Sequence, residues 1–154
     1  MNVGLVFGII FAAIVIILLL FFGFKYINEV MVLGCESQLG QQITNLKKAV
    51  GSTLALSEGA SQELRMLIPH CVERVCFVDP KHPEFKGEGW VPNEFTTKLV
   101  SRYGYNVVVI KSNGGVDGYK IDKLKPYVNF CLTSSDDVII RNAGALVEIM
   151  PPEF

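Results

Sequence analysis

The sequence predicts an α+β protein: a long N-terminal helix, a membrane span plus an amphipathic extension, packs on a small, mostly antiparallel β-sheet domain with one short helix. Three observations support this fold class. Residues 1–24 carry no charged side chain, residues 25–51 repeat apolar side chains at helical spacing, and residues 52–154 are short β-rich runs separated by turns. We therefore predict a transmembrane helix, a stalk helix and a β-rich domain with these boundaries.

The apolar run of residues 3–24 is long enough to cross a bilayer. At ~1.5 Å per residue it makes a helix of roughly 33 Å, against a hydrocarbon core of ~30 Å. A cleaved signal would need a basic start, a shorter apolar core and a small-residue cleavage site. We expect a permanent single span with the lipid bilayer as its partner. Gly4 and Gly8 form a small-xxx-small pair that favours a homo-oligomer through this helix, unless they only reflect how common glycine is in membrane helices.

The stalk helix carries one apolar stripe. Its members recur at spacings of three and four: Cys35, Leu39, Ile43, Leu46 and Val50. No proline interrupts residues 1–50, so one long helix, or two nearly collinear ones, is expected to run from the bilayer into the domain. The stripe either packs on the sheet or forms a coiled-coil seam with neighbouring copies.

The β-rich domain is predicted to be an antiparallel meander of short strands. The predicted strands are residues 62–68, 72–79, 105–111, 119–122, 127–132, 138–141 and 145–150. Asn113–Gly115 predicts a hairpin turn, with weak calcium ligation as the alternative. One short helix is predicted to start near Pro92 and end at Gly104, and its apolar residues are spaced by four: Phe95, Leu99 and Tyr103.

The loop of residues 80–92 carries two aromatic residues, Phe85 and Trp90. They either fold back over the sheet or contact an unknown protein partner, because rigid aromatic side chains in loops are favoured anchors for binding.

Four cysteines follow the apolar run: Cys35, Cys71, Cys76 and Cys131. Within one extended strand, Cys71 and Cys76 would lie ~16 Å apart, farther than the ~7 Å that a disulfide allows. Two connectivities remain, and we favour Cys35–Cys71 with Cys76–Cys131. The charges flanking the span do not decide its orientation. An even number of cysteines favours an oxidising location, so we predict a single-pass cell-membrane protein with an extracytoplasmic C-terminal domain.

An alternative reading uses the same cysteines as ligands or nucleophiles. His70, Cys71, Cys76 and His82 are suitable types for a metal site or a membrane-tethered enzyme, but their spacing matches no compact zinc motif. No nucleotide-binding or catalytic motif occurs. We therefore predict no catalytic residue and no cofactor, and a structural or interaction protein of the cell envelope rather than an enzyme.

Charge gives little further information on partners. The net charge is −1, and the basic residues are scattered, which argues against a nucleic-acid groove. Lys120, Lys123 and Lys125 form the only loose cluster, with Asp122 among them.

The layout resembles that of type IV pilin-like proteins, in which an apolar N-terminal helix continues as an amphipathic helix on a small β domain. The chain departs from that pattern: no basic leader precedes the apolar run, and Leu5 stands where bacterial pilins commonly carry an acidic residue. The stretch from Leu67-Ile68-Pro69 through Val75-Cys76-Phe77-Val78-Asp79, and later Asn129-Phe130-Cys131, are also similar to uncharacterised single-span archaeal envelope proteins. The first resemblance implies a filament subunit; the second implies a tethered external domain.

Overall fold

The computed structural model describes residues 3–151, and for residues 3, 5 and 28–33 it describes the backbone alone. The helices are α1 (Val3–Leu54) and α2 (Glu94–Tyr103). The strands are β1 (Ser61–Met66), β2 (Val72–Phe77), β3 (Val107–Lys111), β4 (Val116–Tyr119), β5 (Leu124–Pro126), β6 (Phe130–Leu132), β7 (Asp136–Asn142) and β8 (Val147–Met150). The α+β class is confirmed. Residues 1–2 and 152–154 of the predicted domains lie outside the described residues.

The chain divides into two compact units, an N-terminal unit that ends at Ser37 and a C-terminal unit that begins at Gln38. In the N-terminal unit, Val6–Ile27 is a helical segment of 22 residues, long and apolar enough to cross a membrane, and none of it is buried. A signal sequence near an N-terminus has the same properties. A Cβ added at Gly4 or Gly8 would meet no atom within 4 Å, so this helix face is open.

In the C-terminal unit, the last part of α1 buries the predicted apolar stripe. Leu39, Ile43, Leu46 and Val50 are each at most 4% exposed. The helix end is tied to β1, since Gln62 Nε2 donates a hydrogen bond to Ala49 O at 3.1 Å. The stripe therefore packs into the domain core, as the first of the two sequence alternatives predicts.

The strands form two four-stranded sheets, ordered β1-β7-β8-β5 and β4-β3-β2-β6. The prediction of a meander is wrong. Two hairpins follow from local turn chemistry: β3–β4, whose turn contains Gly114 at φ 83°, and β7–β8, whose turn contains Gly144 at φ 85°. The strands β1 and β7 pair across a long stretch of chain, and β5 and β8 are parallel, because distant pairing depends on core packing and not on turn residues.

The predicted strand 127–132 is also wrong in its extent. Its residues divide between a bend at 127–128, Asn129 and β6, while β5 ends just before the bend and belongs to the other sheet. Asparagine is disfavoured within strands, and Asn129 marks the point where the chain leaves one sheet for the other.

Helix α2 begins at Glu94, near Pro92, and is closed by Gly104, both as predicted, and its N-cap is Asn93. Asn93 Oδ1 accepts a hydrogen bond from Thr96 N at 2.8 Å, and Gly104 at φ 66° closes the helix in the left-handed conformation. The buried face, however, is formed by Thr96 and Val100. Phe95 and Tyr103, two of the three α2 residues predicted from their spacing of four, are 64% and 54% exposed.

One disulfide lies in the core of the C-terminal unit. Cys76 on β2 is directly opposite Cys131 on β6, and the two are bonded, as predicted. They belong to a cluster of buried residues that also contains Val78, Trp90, Val100 and Val108. Cys35 and Cys71 are disulfide-bonded as well, and no cysteine of the described chain is free.

Candidate binding surface

The two aromatic residues of the loop between β2 and α2 (residues 78–93, the β2–α2 loop) have opposite environments. Trp90 is 2% exposed, and its indole Nε1 donates a hydrogen bond to Pro83 O at 3.0 Å. The hypothesis that Trp90 contacts a partner is therefore wrong, because its ring is part of the core. Phe85 is 59% exposed and remains a candidate contact residue.

Asn129 holds the loop in place with its side chain. Its Nδ2 donates hydrogen bonds to His82 O at 3.0 Å and to Phe85 O at 2.9 Å, and its Oδ1 accepts one from Asp79 N at 2.8 Å. Asn129 is itself 5% exposed. Since one buried amide satisfies three backbone groups, the exposed part of the loop has a defined conformation.

The second half of the loop approaches β6 too closely for a side chain. A Cβ at position 87 would lie 1.4 Å from Asn129 O, so only glycine fits there. One residue later, Glu88 O accepts a hydrogen bond from Cys131 N at 2.7 Å. The loop is thus joined to the disulfide-bonded strand and forms a rigid platform.

This platform presents aromatic rings to solvent. The imidazole of His82 stacks on the ring of Phe85, with centroids 5.0 Å apart and planes inclined by 5°. Tyr127 and Val128 are also exposed. Together with Lys86 and other neighbours they line a depression of about 420 Å³, which we call the aromatic depression. Small-molecule sites have volumes of ~300–1,000 Å³.

A second depression, of about 390 Å³, is lined by Lys81, Lys120 and Lys123 among others, and we call it the lysine depression. Its floor is fixed by Asn106, which is 5% exposed. The Asn106 Nδ2 donates hydrogen bonds to Ile121 O at 2.7 Å and Leu124 O at 2.8 Å, and its Oδ1 accepts one from Ile121 N at 2.8 Å. A second buried asparagine therefore positions the lysine-bearing segment.

The two depressions share an ion pair. Lys125 Nζ lies 3.4 Å from Asp79 Oδ2, and both residues line both depressions. We call the joined pair of depressions the basic groove. Its lining holds five lysines and two aspartates, in a chain whose net charge is −1. The loose cluster seen in the sequence thus becomes a concentrated positive surface, because the β2–α2 loop adds Lys81 and Lys86 to it.

The alternative metal or catalytic set is contradicted by the cysteine chemistry. Cys71 and Cys76 are oxidised in disulfides, whereas metal ligation and nucleophilic attack need a thiolate. His82 is stacked on Phe85 and lies 3.5 Å from Glu84 Oε1. Between residues 3 and 151, no cluster of three or more His, Cys, Asp or Glu side chains could hold a metal ion.

The sequence singled out Lys120, Lys123, Lys125 and Phe85, which line the groove, but not the two asparagines that support it. Asn106 and Asn129 stand inside β-rich runs, and that composition is the only signal that could have singled them out, since asparagine is depleted in strands unless it makes side-chain bonds. The pairing of Asp79 with Lys125 has no sequence signal, because Asp79 lies in the β2–α2 loop and Lys125 in β5, and the two meet only in the fold.

Comparisons with known proteins give no further assignment: no family model, no curated protein and no solved structure matches the chain.

Proposed function

We propose that this protein is a single-span protein of the cell envelope that displays a disulfide-stabilised binding domain outside the cytoplasm. The observation that carries the proposal is the combination, in one chain, of the apolar helix Val6–Ile27 with four cysteines that are all oxidised. Disulfides persist in oxidising compartments and are rare in the cytosol. The helix supplies the anchor, and the cysteines indicate the side of the membrane.

The binding role rests on the way in which the domain exposes the β2–α2 loop. Asn129 and Trp90 fix the loop from beneath, while Phe85 and His82 remain in solvent. A contact surface that is already ordered loses little conformational entropy when a partner binds. A partner-binding role therefore explains why the domain holds Phe85 and His82 in place although neither side chain is buried in the core.

Cell fractionation with protease treatment tests the location. We expect the full-length chain in the membrane fraction, resistant to alkaline carbonate, and its C-terminal domain digested by protease added outside intact cells. Mass spectrometry without reduction should recover two bridged peptide pairs, Cys76–Cys131 and Cys35–Cys71. Free thiols, or a domain protected from external protease, would contradict the proposal. A shortened chain in the medium would instead show that the apolar helix is a cleaved signal.

A filament subunit is the second candidate, in line with the resemblance to pilin-like proteins. It is favoured by the extent of α1, Val3–Leu54, with an unburied apolar first half and open positions at Gly4 and Gly8. Electron microscopy of material sheared from cells distinguishes the two. Filaments that disappear when Gly4 and Gly8 are both changed to leucine would support assembly, whereas small discrete particles in detergent would support a solitary anchor.

A further inference from the structure

We infer that the basic groove binds an acidic polysaccharide, with its lysines on the carboxylates and its aromatic rings on the sugar faces. The inference rests on the proposed extracytoplasmic display and names the partner of that surface. The groove consists of two neighbouring depressions of about 420 and 390 Å³ that share Lys125 and Asp79. Such an elongated shape suits a chain of several sugar units better than one small compact molecule.

The charges of the groove favour an anionic ligand. Asp79 is already engaged, since its Oδ2 lies 3.4 Å from Lys125 Nζ and its Oδ1 accepts a hydrogen bond from Lys81 N at 3.0 Å. Apart from Lys125, four lysines of the lining then face a single remaining carboxylate, that of Asp122. A concave surface dominated by one sign of charge attracts ligands of the opposite sign and accelerates their association.

The backbone at Lys123 supports a role for this lysine. Lys123 has φ 64°, and it is the only non-glycine residue with positive φ in residues 3–151. This conformation costs of order 1–3 kcal/mol for residues with a Cβ, and glycine would adopt it freely. Its carbonyl is held by Val147 N at 2.8 Å. A lysine that occupies a strained position on the rim of the lysine depression is consistent with a need for its ammonium group there.

The strand beside the groove is unsuited to an extended peptide, which distinguishes a polysaccharide from an acidic protein tail. Strand β5 is an edge strand, and peptides commonly bind by adding a strand to such an edge. Here, however, Pro126 has no N–H to donate. The carbonyl of Leu124 is already occupied by Asn106 Nδ2 at 2.8 Å. Backbone pairing at this edge is therefore restricted, and recognition there relies mainly on side chains.

The side chains present match an acidic sugar chain. The stacked pair of His82 and Phe85, together with the exposed Tyr127, offers flat aromatic faces, and the electron-rich face of an aromatic ring attracts the positively polarised C–H groups of a pyranose ring. The cations are lysines and not arginines. Lysine acts as a point charge without the planar bidentate geometry of arginine, which suits carboxylates that repeat along a polymer.

The test measures binding of polygalacturonate to the full-length chain in a neutral detergent whose head group is not a sugar. We expect binding that weakens with salt, and no binding of uncharged dextran. The triple variant K81A/K120A/K123A should bind at least about tenfold more weakly, since removed cationic contacts reduce both affinity and salt dependence. Lys98→Ala is the matched control, because Lys98 is an exposed lysine on α2, outside the groove, and it should leave affinity unchanged. Phe85→Ala should weaken polygalacturonate binding while leaving the salt dependence intact.

Two comparison polymers make the inference falsifiable. Polyglutamate has carboxylates but no sugar rings. Polyphosphate is negatively charged but has neither carboxylates nor sugar rings. If either binds as tightly as polygalacturonate, the groove is a general anion site and the assignment to a polysaccharide is overturned. An absence of polygalacturonate binding, or equal binding by the triple variant, overturns it too. None of these results affects the location of the domain, which protease accessibility tests separately.

Discussion

The two units of this protein differ in whether their apolar side chains are buried. In the N-terminal unit, Leu18 is 50% exposed and Val6–Ile27 contributes nothing to a core. In the C-terminal unit, Leu46 is fully buried in the same helix, α1, although it is the same residue type. The fold of the C-terminal unit therefore buries Leu46, whereas the apolar side chains of Val6–Ile27 are left exposed. Such exposure is expected of a helix that is surrounded by lipid.

The difference shows which unit has the core and the hydrogen bonds needed to fold without lipid. The C-terminal unit has a buried disulfide and two sheets, and each of its buried asparagines hydrogen-bonds to backbone groups. Among the described residues it leaves no buried side-chain polar atom without a partner. The N-terminal unit is helical, and its segment Val6–Ile27 has no buried side chain. Its exposed apolar surface would drive aggregation in water unless lipid or other helices cover it.

Truncation should produce the largest effect. A chain that begins at Gly34 removes the apolar helix and retains Cys35, so that all four cysteines remain. We expect it to be monomeric without detergent, to retain both disulfides and to unfold cooperatively, whereas the full-length chain should require detergent. Size-exclusion chromatography and thermal unfolding measure this. Aggregation of the truncated chain would show that the C-terminal unit depends on the apolar helix for its fold.

The next largest effect should be a difference in unfolding free energy between alanine variants of two leucines of α1. Leu46→Ala leaves a cavity in the core and should lower the free energy of unfolding of the C-terminal unit by about 2–5 kcal/mol. Leu18→Ala makes the same chemical change where the side chain is exposed, and it should change that free energy by less than about 0.5 kcal/mol. Chemical denaturation of both variants in the same detergent provides the measurement. Equal losses would mean that the two halves of the helix are not energetically distinct.

The same distinction explains how much could be predicted from the sequence. The stripe of α1 and the end of α2 at Gly104 were predictable, because helix periodicity and capping are local properties. The sheet order was not, because the pairing of β1 with β7 joins residues far apart in the chain. For the same reason, sequence could not separate Trp90 from Phe85. Both are aromatic residues of one loop, and only the position of Pro83 O and the core residues around the indole decides which is buried.

The smallest effect should come from the amide that supports the β2–α2 loop. Asn129→Ala removes three hydrogen bonds, to Asp79 N, His82 O and Phe85 O. We expect a loss of about 1–3 kcal/mol, because the freed backbone groups lie near the surface and water can replace part of what is lost. Limited trypsin digestion should then cleave faster after Lys86, within the released loop.

Asn113→Ala is the control for this variant. Its side chain is exposed and accepts one hydrogen bond, from Gly115 N at 2.9 Å, in the β3–β4 turn, so it should cost less than about 1 kcal/mol and leave cleavage after Lys86 unchanged. If Asn129→Ala unfolds the domain as severely as Leu46→Ala, the loop is part of the core's cooperative unit. If it only accelerates cleavage, the β2–α2 loop is supported separately from the core. The C-terminal unit then consists of a core that determines stability and an ordered surface that is available to a partner.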